Sequence, residues 1–233
     1  MIVVSSKIFG YVIIGVITLI AYLLGSINSA IIVGKLHKMD IREHGSGNAG
    51  LTNTLRVLGK KAAVCVLLGD ILKAVFAILI AKIFAPSIEI AKVTEIAGEV
   101  QISQNLIDIT TQLAGLAVVL GHIFPVYYGF KGGKGVLTSI SVMFMLNWKI
   151  SLICLLLFIV VVSITKFVSL GSILAAFAFP CLVWFSANIP FLEDRRNMLI
   201  FSIILAAIVI IKHRTNIVRL IQRKENKLSF KKK

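Results

Sequence analysis

Apolar residues in this chain run in long blocks rather than in alternation or narrow stripes. Ile8 to Leu24, Ala62 to Ala85, Leu106 to Phe124, Val136 to Leu146, Ile150 to Ile164, Val168 to Phe185 and Met198 to Ile211 form seven such blocks. A membrane-crossing helix needs about 20 mainly apolar residues, with a range of about 17–25. The pattern predicts an all-α polytopic membrane protein with about seven transmembrane helices, residues 1–233 forming one integral-membrane domain. The fourth block is short for a full crossing; tilt, local thinning of the bilayer or use of its flanks would accommodate it. The segment from Pro86 to Gln104 is more polar, and its apolar residues recur loosely at Ile88, Ile90, Val93, Ile96 and Val100, which reads as an amphipathic surface helix. The opening MIVVSSKIFG has one early lysine and no small-residue cleavage site, so it reads as part of a retained first crossing.

Composition agrees with this and removes other classes. The chain is 58% hydrophobic and 15% charged, with mean hydropathy +0.97. Soluble domains run roughly 45–50% apolar and about 25% charged. Disorder is excluded by the same numbers. A net charge of +15 invites a nucleic-acid reading, but nucleic-acid binding leaves the long apolar blocks without a purpose. The basic residues sit instead on alternate connections. Lys35, Lys38, Arg42, Arg56, Lys60 and Lys61 follow the first block, Lys131 and Lys134 follow the third, and Lys166 follows the fifth. The second connection balances Lys82 and Lys92 with Glu89, Glu95, Glu99 and Asp108; the sixth mixes Glu193 and Asp194 with Arg195 and Arg196. A basic tail runs from about residue 212 to the closing KKK. The positive-inside bias then predicts an N-terminus outside and a C-terminus in the cytoplasm, with the tail beside anionic lipid. Cys65, Cys154 and Cys181 lie within apolar blocks without metal or disulfide spacing and read as core or lipid-facing residues.

Polar groups at membrane depth are costly, so clusters of them mark candidate function. Three clusters fall on the expected cytoplasmic side. The first runs from GSINSA (Gly25 to Ala30) to GSGNAGLTNTLR (Gly45 to Arg56) and holds Ser26, Ser46, Asn48, Thr52 and Asn53, with Arg42 between its halves. It is either an ordinary polar loop or an anion-binding concavity of glycine turns. The second, GHIFPVYYGFKGGKGVLTSI (Gly121 to Ile140), sets Gly132, Gly133 and Gly135 around Lys131 and Lys134, just before an apolar helix. Backbone N–H groups and the helix dipole would face a phosphate there, and Lys134 would add a full charge; the alternative is a flexible positive-inside loop. The third joins TKFVSLGS (Thr165 to Ser172) to HRTNIVRLIQRKE (His213 to Glu225). His213 and Asn216 would share a face of a continuing helix, like Ser169 and Ser172; alternatively His213 snorkels in a basic tail. Asp70 and Lys73, three apart, either pair with each other or turn toward the polar site. His122 reads as a helix-end packing residue or a functional one. Tyr22, Tyr127, Tyr128, Trp148 and Trp184 fit interfacial belts.

Several chemistries are excluded by their absent signatures. The glycine-lysine loop fails Walker A spacing: Tyr128 stands where a glycine is needed and Gly135 where Ser or Thr should follow Lys134. No G-x-S-x-G elbow or clustered metal ligands occur. The acyltransferase pattern H-x-x-x-x-D is missing too, since Arg42, Ala49, Tyr127 and Val218 stand five residues after the four histidines. What remains is rich in phosphate-binding groups and poor in obvious bases. A transporter or channel for phosphate or a phosphorylated solute is the alternative, but it would distribute polar residues across the bilayer and often show inverted repeats.

GSINSA, DIREHGSGNAGLTNTLRVLGKK, GHIFPVYYGFKGGKGVLTSI and HRTNIVRL resemble the bacterial acyl-phosphate:glycerol-3-phosphate acyltransferases over most of the chain. The resemblance implies a seven-span bacterial cell-membrane enzyme of phospholipid biosynthesis, with its active site on the cytoplasmic side. It implies transfer of a fatty acyl group from acyl phosphate to the 1-hydroxyl of glycerol 3-phosphate, giving lysophosphatidate and inorganic phosphate. The implied substrates are glycerol 3-phosphate and fatty acyl phosphate, and neither cofactor nor metal is expected. By the same resemblance, Lys131, Gly132, Gly133, Lys134 and Gly135 receive phosphate. Ser26, Arg42, Ser46, Asn48, Thr52 and Asn53 bind substrate or build the site. Ser172, His213 and Asn216 lie near the glycerol phosphate and reacting centre. Lys134 is implied as a phosphate ligand, His213 as a phosphate ligand or orienter of the acceptor hydroxyl, and Asn216 as a partner of that hydroxyl or the oxyanion. Small residues Gly171, Ala175 and Ala176 would line an acyl groove. The chain departs from the family pattern at Asn28, where proline is usual, at Leu51 and Leu137, where alanine is usual, and at Arg223, near which glycine often stands before the glutamate. The last departure leaves Glu225 without an assigned role.

Overall fold

The structure, a computed structural model, describes residues 2–93, 104–192 and 196–228. Among these residues the regular structure is helical. Ten α-helices follow one another: α1 (Ile2–Ser26), α2 (Ser29–Leu36), α3 (Leu51–Leu58), α4 (Lys60–Val93), α5 (Gln104–Ile123), α6 (Val136–Leu146), α7 (Trp148–Thr165), α8 (Val168–Phe185), α9 (Leu199–Lys212) and α10 (Arg214–Ile221). Every apolar block thus becomes a helix, and the eighteen-residue α8 has the bounds that the sequence pattern gives it.

Helix lengths change the picture of the crossings. Five stretches are long and apolar enough to span a bilayer, or six if α9 and α10 count as one broken span. The eleven residues of α6 rise about 16 Å, roughly half the hydrocarbon thickness. α4 continues through Pro86 to Val93, so the first part of the polar segment extends a span instead of lying apart from it. The remainder of that expected surface helix, residues 94–103, falls outside the described residues, as do Glu193, Asp194, Arg195 and the closing lysines. The predicted continuing helix through His213 is also corrected. α9 and α10 meet at that residue with a 58° bend.

The departure at Asn28 has a local consequence. The chain breaks between α1 and α2, and Asn28 Oδ1 accepts a hydrogen bond from Ile31 N at 3.1 Å, capping α2. A proline would close the same break through its fixed φ; asparagine does it with a side-chain cap.

α1 and α5 pack backbone against backbone. A Cβ at Gly25 would overlap the Val118 carbonyl, and one at Gly121 would overlap the Tyr22 carbonyl and approach Ser26 N. Small residues permit such approach where the lipid supplies no hydrophobic drive between helices. The core then fills with Ile78, Val118, Val142, Phe179 and Leu205, all buried, with Phe179 and Phe201 edge to face at 6.2 Å. Outward faces carry exposed Tyr11, Leu68, Phe76, Phe177 and Ile200, an apolar surface that suits lipid contact. Cys65 and Cys181 are exposed and Cys154 is buried.

Candidate active site

A cavity of about 270 Å³ opens where the C-terminal ends of α5 and α9 and the N-terminal ends of α6 and α8 meet α3, α7 and α10. Its polar end is lined by Ser46, Asn48, Thr52, Arg56, Lys134, Ser172, His213, Asn216, Arg219 and Glu225. Its interior is apolar, walled by Leu137, Met143, Phe158, Ala175, Ala176 and Phe179 among others. Of the small residues expected at a groove, Ala175 and Ala176 line this cavity. Gly171 instead packs against α7, where a Cβ would lie 2.7 Å from Val162 Cγ2 and 3.0 Å from Phe158 Cδ2.

The glycine-lysine loop is fixed by its own backbone. Gly132 N donates to Ile123 O and Gly133 N to His122 O, both at 3.1 Å. Gly133 lies so close to the His122 ring and the Ala49 carbonyl that no Cβ fits there. Gly135 takes φ +79°, a left-handed conformation that L side chains rarely adopt, and turns the chain into α6. No side chain caps that helix start, so its first N–H groups remain available to an anion. Ser139 in the next turn lines the cavity, and its hydroxyl has no partner among the described residues.

Lys134 leans across to α10 and donates to Asn216 Oδ1. Its ammonium is lowered from the usual lysine range to about 8. Desolvation is the main cause; Glu225 opposes it, and Arg219, Arg56 and Lys212 reinforce it. Asn216 Nδ2 donates in turn to Glu225 Oε1 at 2.7 Å, which also accepts from Ser169 Oγ at 3.0 Å. Arg219 Nε reaches Glu225 Oε2 at 2.9 Å. Burial alone would raise the Glu225 carboxyl, but the hydrogen bonds from Arg219, Asn216 and Ser169 outweigh it and hold it below the usual range. Glu225, left without an assigned role by the departure near Arg223, is therefore the acidic anchor of this end, with Arg219 its partner. The one signal in the sequence was a single carboxylate within a basic tail. His213 Nδ1 donates to Val209 O at 2.7 Å, so a neutral ring presents Nε2 as an acceptor.

Six of the sequence-predicted site residues stand behind the cavity lining. Ser26 Oγ donates to Tyr22 O at 2.9 Å and accepts from Val126 N at 3.4 Å. Asn53 accepts from Ser46 N at 2.8 Å and donates to Ile41 O and His44 O, shaping the first loop. Arg42 binds Asp40 through Nε and Nη2, the latter at 2.7 Å, and reaches Tyr128 O and Lys131 O with Nη1 at 3.1 and 3.2 Å. It latches the first loop to the glycine-lysine loop. Its hydrogen bond holds the Asp40 carboxyl down at about 2. The Lys131 side chain is exposed, while Gly132 and Gly133 serve the loop's backbone. Asp70 and Lys73 pair at 2.9 Å, and both also meet His122 beneath the loop.

A helical integral-membrane body, a cationic cavity mouth and an apolar interior together describe a membrane enzyme that brings an anionic head and an aliphatic chain to one place. The sequence profile of the glycerol-3-phosphate acyltransferase family matches residues 15–223, and the chain belongs to that family. The glycerol-3-phosphate acyltransferase of Clostridioides difficile (strain 630) is 42% identical over 231 residues, covering 97% of this chain and 99% of its own. That of Chlorobium phaeobacteroides (strain BS1) is 41% identical over 236 residues, covering 92% and 96%. The crystal structure of PlsY (YgiH), an integral membrane glycerol 3-phosphate acyltransferase, in its glycerol 3-phosphate form matches with a TM-score of 0.74 at 33% identity, covering 93% of this chain and 96% of that one. Its lysophosphatidic acid form gives 0.72.

Proposed function

We propose that this membrane acyltransferase moves a fatty acyl group from acyl phosphate to the 1-hydroxyl of glycerol 3-phosphate, yielding lysophosphatidate and inorganic phosphate. The observation that carries the reading is one cavity joining Lys134, His213 and Asn216 at its polar end to an apolar interior. Acyl phosphate is already an activated mixed anhydride, so positioning and electrostatic stabilisation do the work. Lys134, the open start of α6 and the nearby Arg56 and Arg219 attract the phosphates. Nε2 of neutral His213 accepts the hydrogen bond of the attacking hydroxyl, since Nδ1 is committed to Val209. Asn216 steadies that hydroxyl or the developing oxyanion. Ser46, Asn48, Thr52 and Ser172 complete the cavity's polar end. Ser26, Arg42, Asn53, Lys131, Gly132 and Gly133 hold that end in shape. The hydroxyl oxygen attacks the acyl carbonyl carbon, the bond from that carbon to the phosphate oxygen breaks, and phosphate departs, the hydroxyl proton ending on it as hydrogen phosphate.

The reading places the enzyme in the bacterial cell membrane with seven crossings, α6 being the short one, as one domain over residues 1–233. The basic connections and the tail from about residue 212 support a cytoplasmic position for the polar end. Purified protein in liposomes, given palmitoyl phosphate and labelled glycerol 3-phosphate, should form lysophosphatidate and equimolar phosphate without acyl-CoA or acyl carrier protein. Absence of that product overturns the reaction. Everted membrane vesicles should use externally added glycerol 3-phosphate and right-side-out vesicles should not; the reverse overturns the orientation.

A further inference from the structure

Beneath the glycine-lysine loop lies a buried polar group that the reaction above leaves unused. Lys73 Nζ sits 2.9 Å from Asp70 Oδ1, 3.2 Å from Gly25 O, 3.1 Å from Ile27 O and 2.8 Å from His122 Nδ1. Ser29 Oγ donates to Asp70 at 3.0 Å. Lys73 therefore holds the carbonyls at the α1–α2 break, and Asp70 holds the first residue of α2. All three charged or ring side chains are at most 5% exposed.

The geometry settles which proton His122 carries. Its Nδ1 is 3.7 Å from Asp70, whereas the lysine is 2.9 Å from the same carboxylate oxygen, so lysine and aspartate form the ion pair. A lysine ammonium has protons and no lone pair, so Nδ1 must accept from Lys73. The ring proton then resides on Nε2, the tautomer opposite to that of His213. No atom of the described residues accepts from Nε2. His122 lines the same cavity as Lys134, and Nε2 lies against the bare Cα of Gly133. A side chain at position 133 would collide with this nitrogen and cover it. Unlike Ser139 Oγ, Nε2 is not sealed off from solvent, so it is reachable from the cavity, and a phosphate held at the loop would give it an acceptor.

We infer that His122 is a further substrate-contacting residue: its Nε2–H donates to a phosphoryl oxygen at the glycine-lysine loop, and Asp70 and Lys73 are positioning residues that fix its tautomer and aim. This rests on the reaction proposed above. The phosphoryl oxygen belongs either to acyl phosphate or to glycerol 3-phosphate, and the test separates them.

Protein labelled with 15N-histidine, with the His122 signal assigned by its loss in His122→Gln, is titrated separately with inorganic phosphate, glycerol 3-phosphate and a non-hydrolysable acyl phosphonate. The expected result is an Nε2–H tautomer in the free protein and a downfield shift of its proton with at least one of them. An Nδ1–H tautomer, or no shift at saturation with all three, overturns the inference. In kinetics, His122→Leu should raise KM about 10- to 100-fold for the substrate whose phosphate is held. His122→Gln, which keeps an N–H near Nε2, should recover part of that. Equal changes in both KM values and no recovery by glutamine would mean a structural role and overturn the inference. If the unmodified protein makes no lysophosphatidate, the proposed reaction fails, while the phosphate titration still reads His122 directly.

Discussion

At the scale of single residues, charge is placed where desolvation makes it responsive. Lys134 sits at about 8 because burial disfavours its ammonium. As pH rises through that value the proton is lost and with it the attraction for phosphate, so kcat/KM should fall above about pH 8. Lys134→Arg, which stays charged, should move that limb well to higher pH. Lys134→Ala should reduce kcat/KM by about 100-fold or more, in keeping with loss of a charge-assisted hydrogen bond, while the protein still inserts into membranes. A pH–rate profile of the three proteins checks both points, and near-normal turnover by the alanine variant would remove Lys134 from the site. Lys134 as a candidate site residue was legible from its flanking glycines, and it lines the cavity. The importance of Glu225 was not, because its meaning comes from Ser169, Asn216 and Arg219, which tertiary packing gathers around it.

At the scale of elements, the apolar blocks named the helices, but two joints escaped the pattern. The α1–α2 break rests on an asparagine cap, and the α9–α10 bend falls at His213. Hydropathy does not register a change of direction, since a bent span and a straight one have the same composition. Close helix contacts are equally silent until partners are known. Gly25 looks like an ordinary loop-edge glycine in the sequence, yet it abuts the Val118 carbonyl on α5. Backbone cannot yield as a flexible side chain does, so Gly25→Ala should destabilise the protein by about 3 kcal/mol. Gly59→Ala is a poor control because of its positive φ; Gly15→Ala, with open space around it, should be close to neutral. Thermal unfolding of the two in one detergent measures the difference.

At the scale of the whole molecule, one cavity ties loop chemistry to lipid chemistry. Its apolar wall is shared by α6, α7, α8 and α9, so under the proposed reaction chain-length selection would be a property of the assembly rather than of any motif. Ala176→Leu adds bulk to that wall and should depress use of palmitoyl phosphate several-fold while sparing a short-chain acyl phosphate. Competition between the two donors reads this as a ratio. A uniform loss for both would mean that Ala176 does not border the acyl chain.

The sequence by itself determined the all-helical membrane class, the number and order of the apolar helices, the family and the glycine-lysine loop as a candidate phosphate site. These follow from hydropathy, glycine placement and motif order, which are local properties. Only the tertiary structure decided which polar residues face the cavity and which brace it from behind. It alone made Glu225 an anchor, turned Arg42 into a latch between loops and set Nδ1 of His122 against Lys73 Nζ and Nδ1 of His213 against Val209 O. Each of those outcomes depends on partners far away in the chain, and proximity across helices is what folding adds.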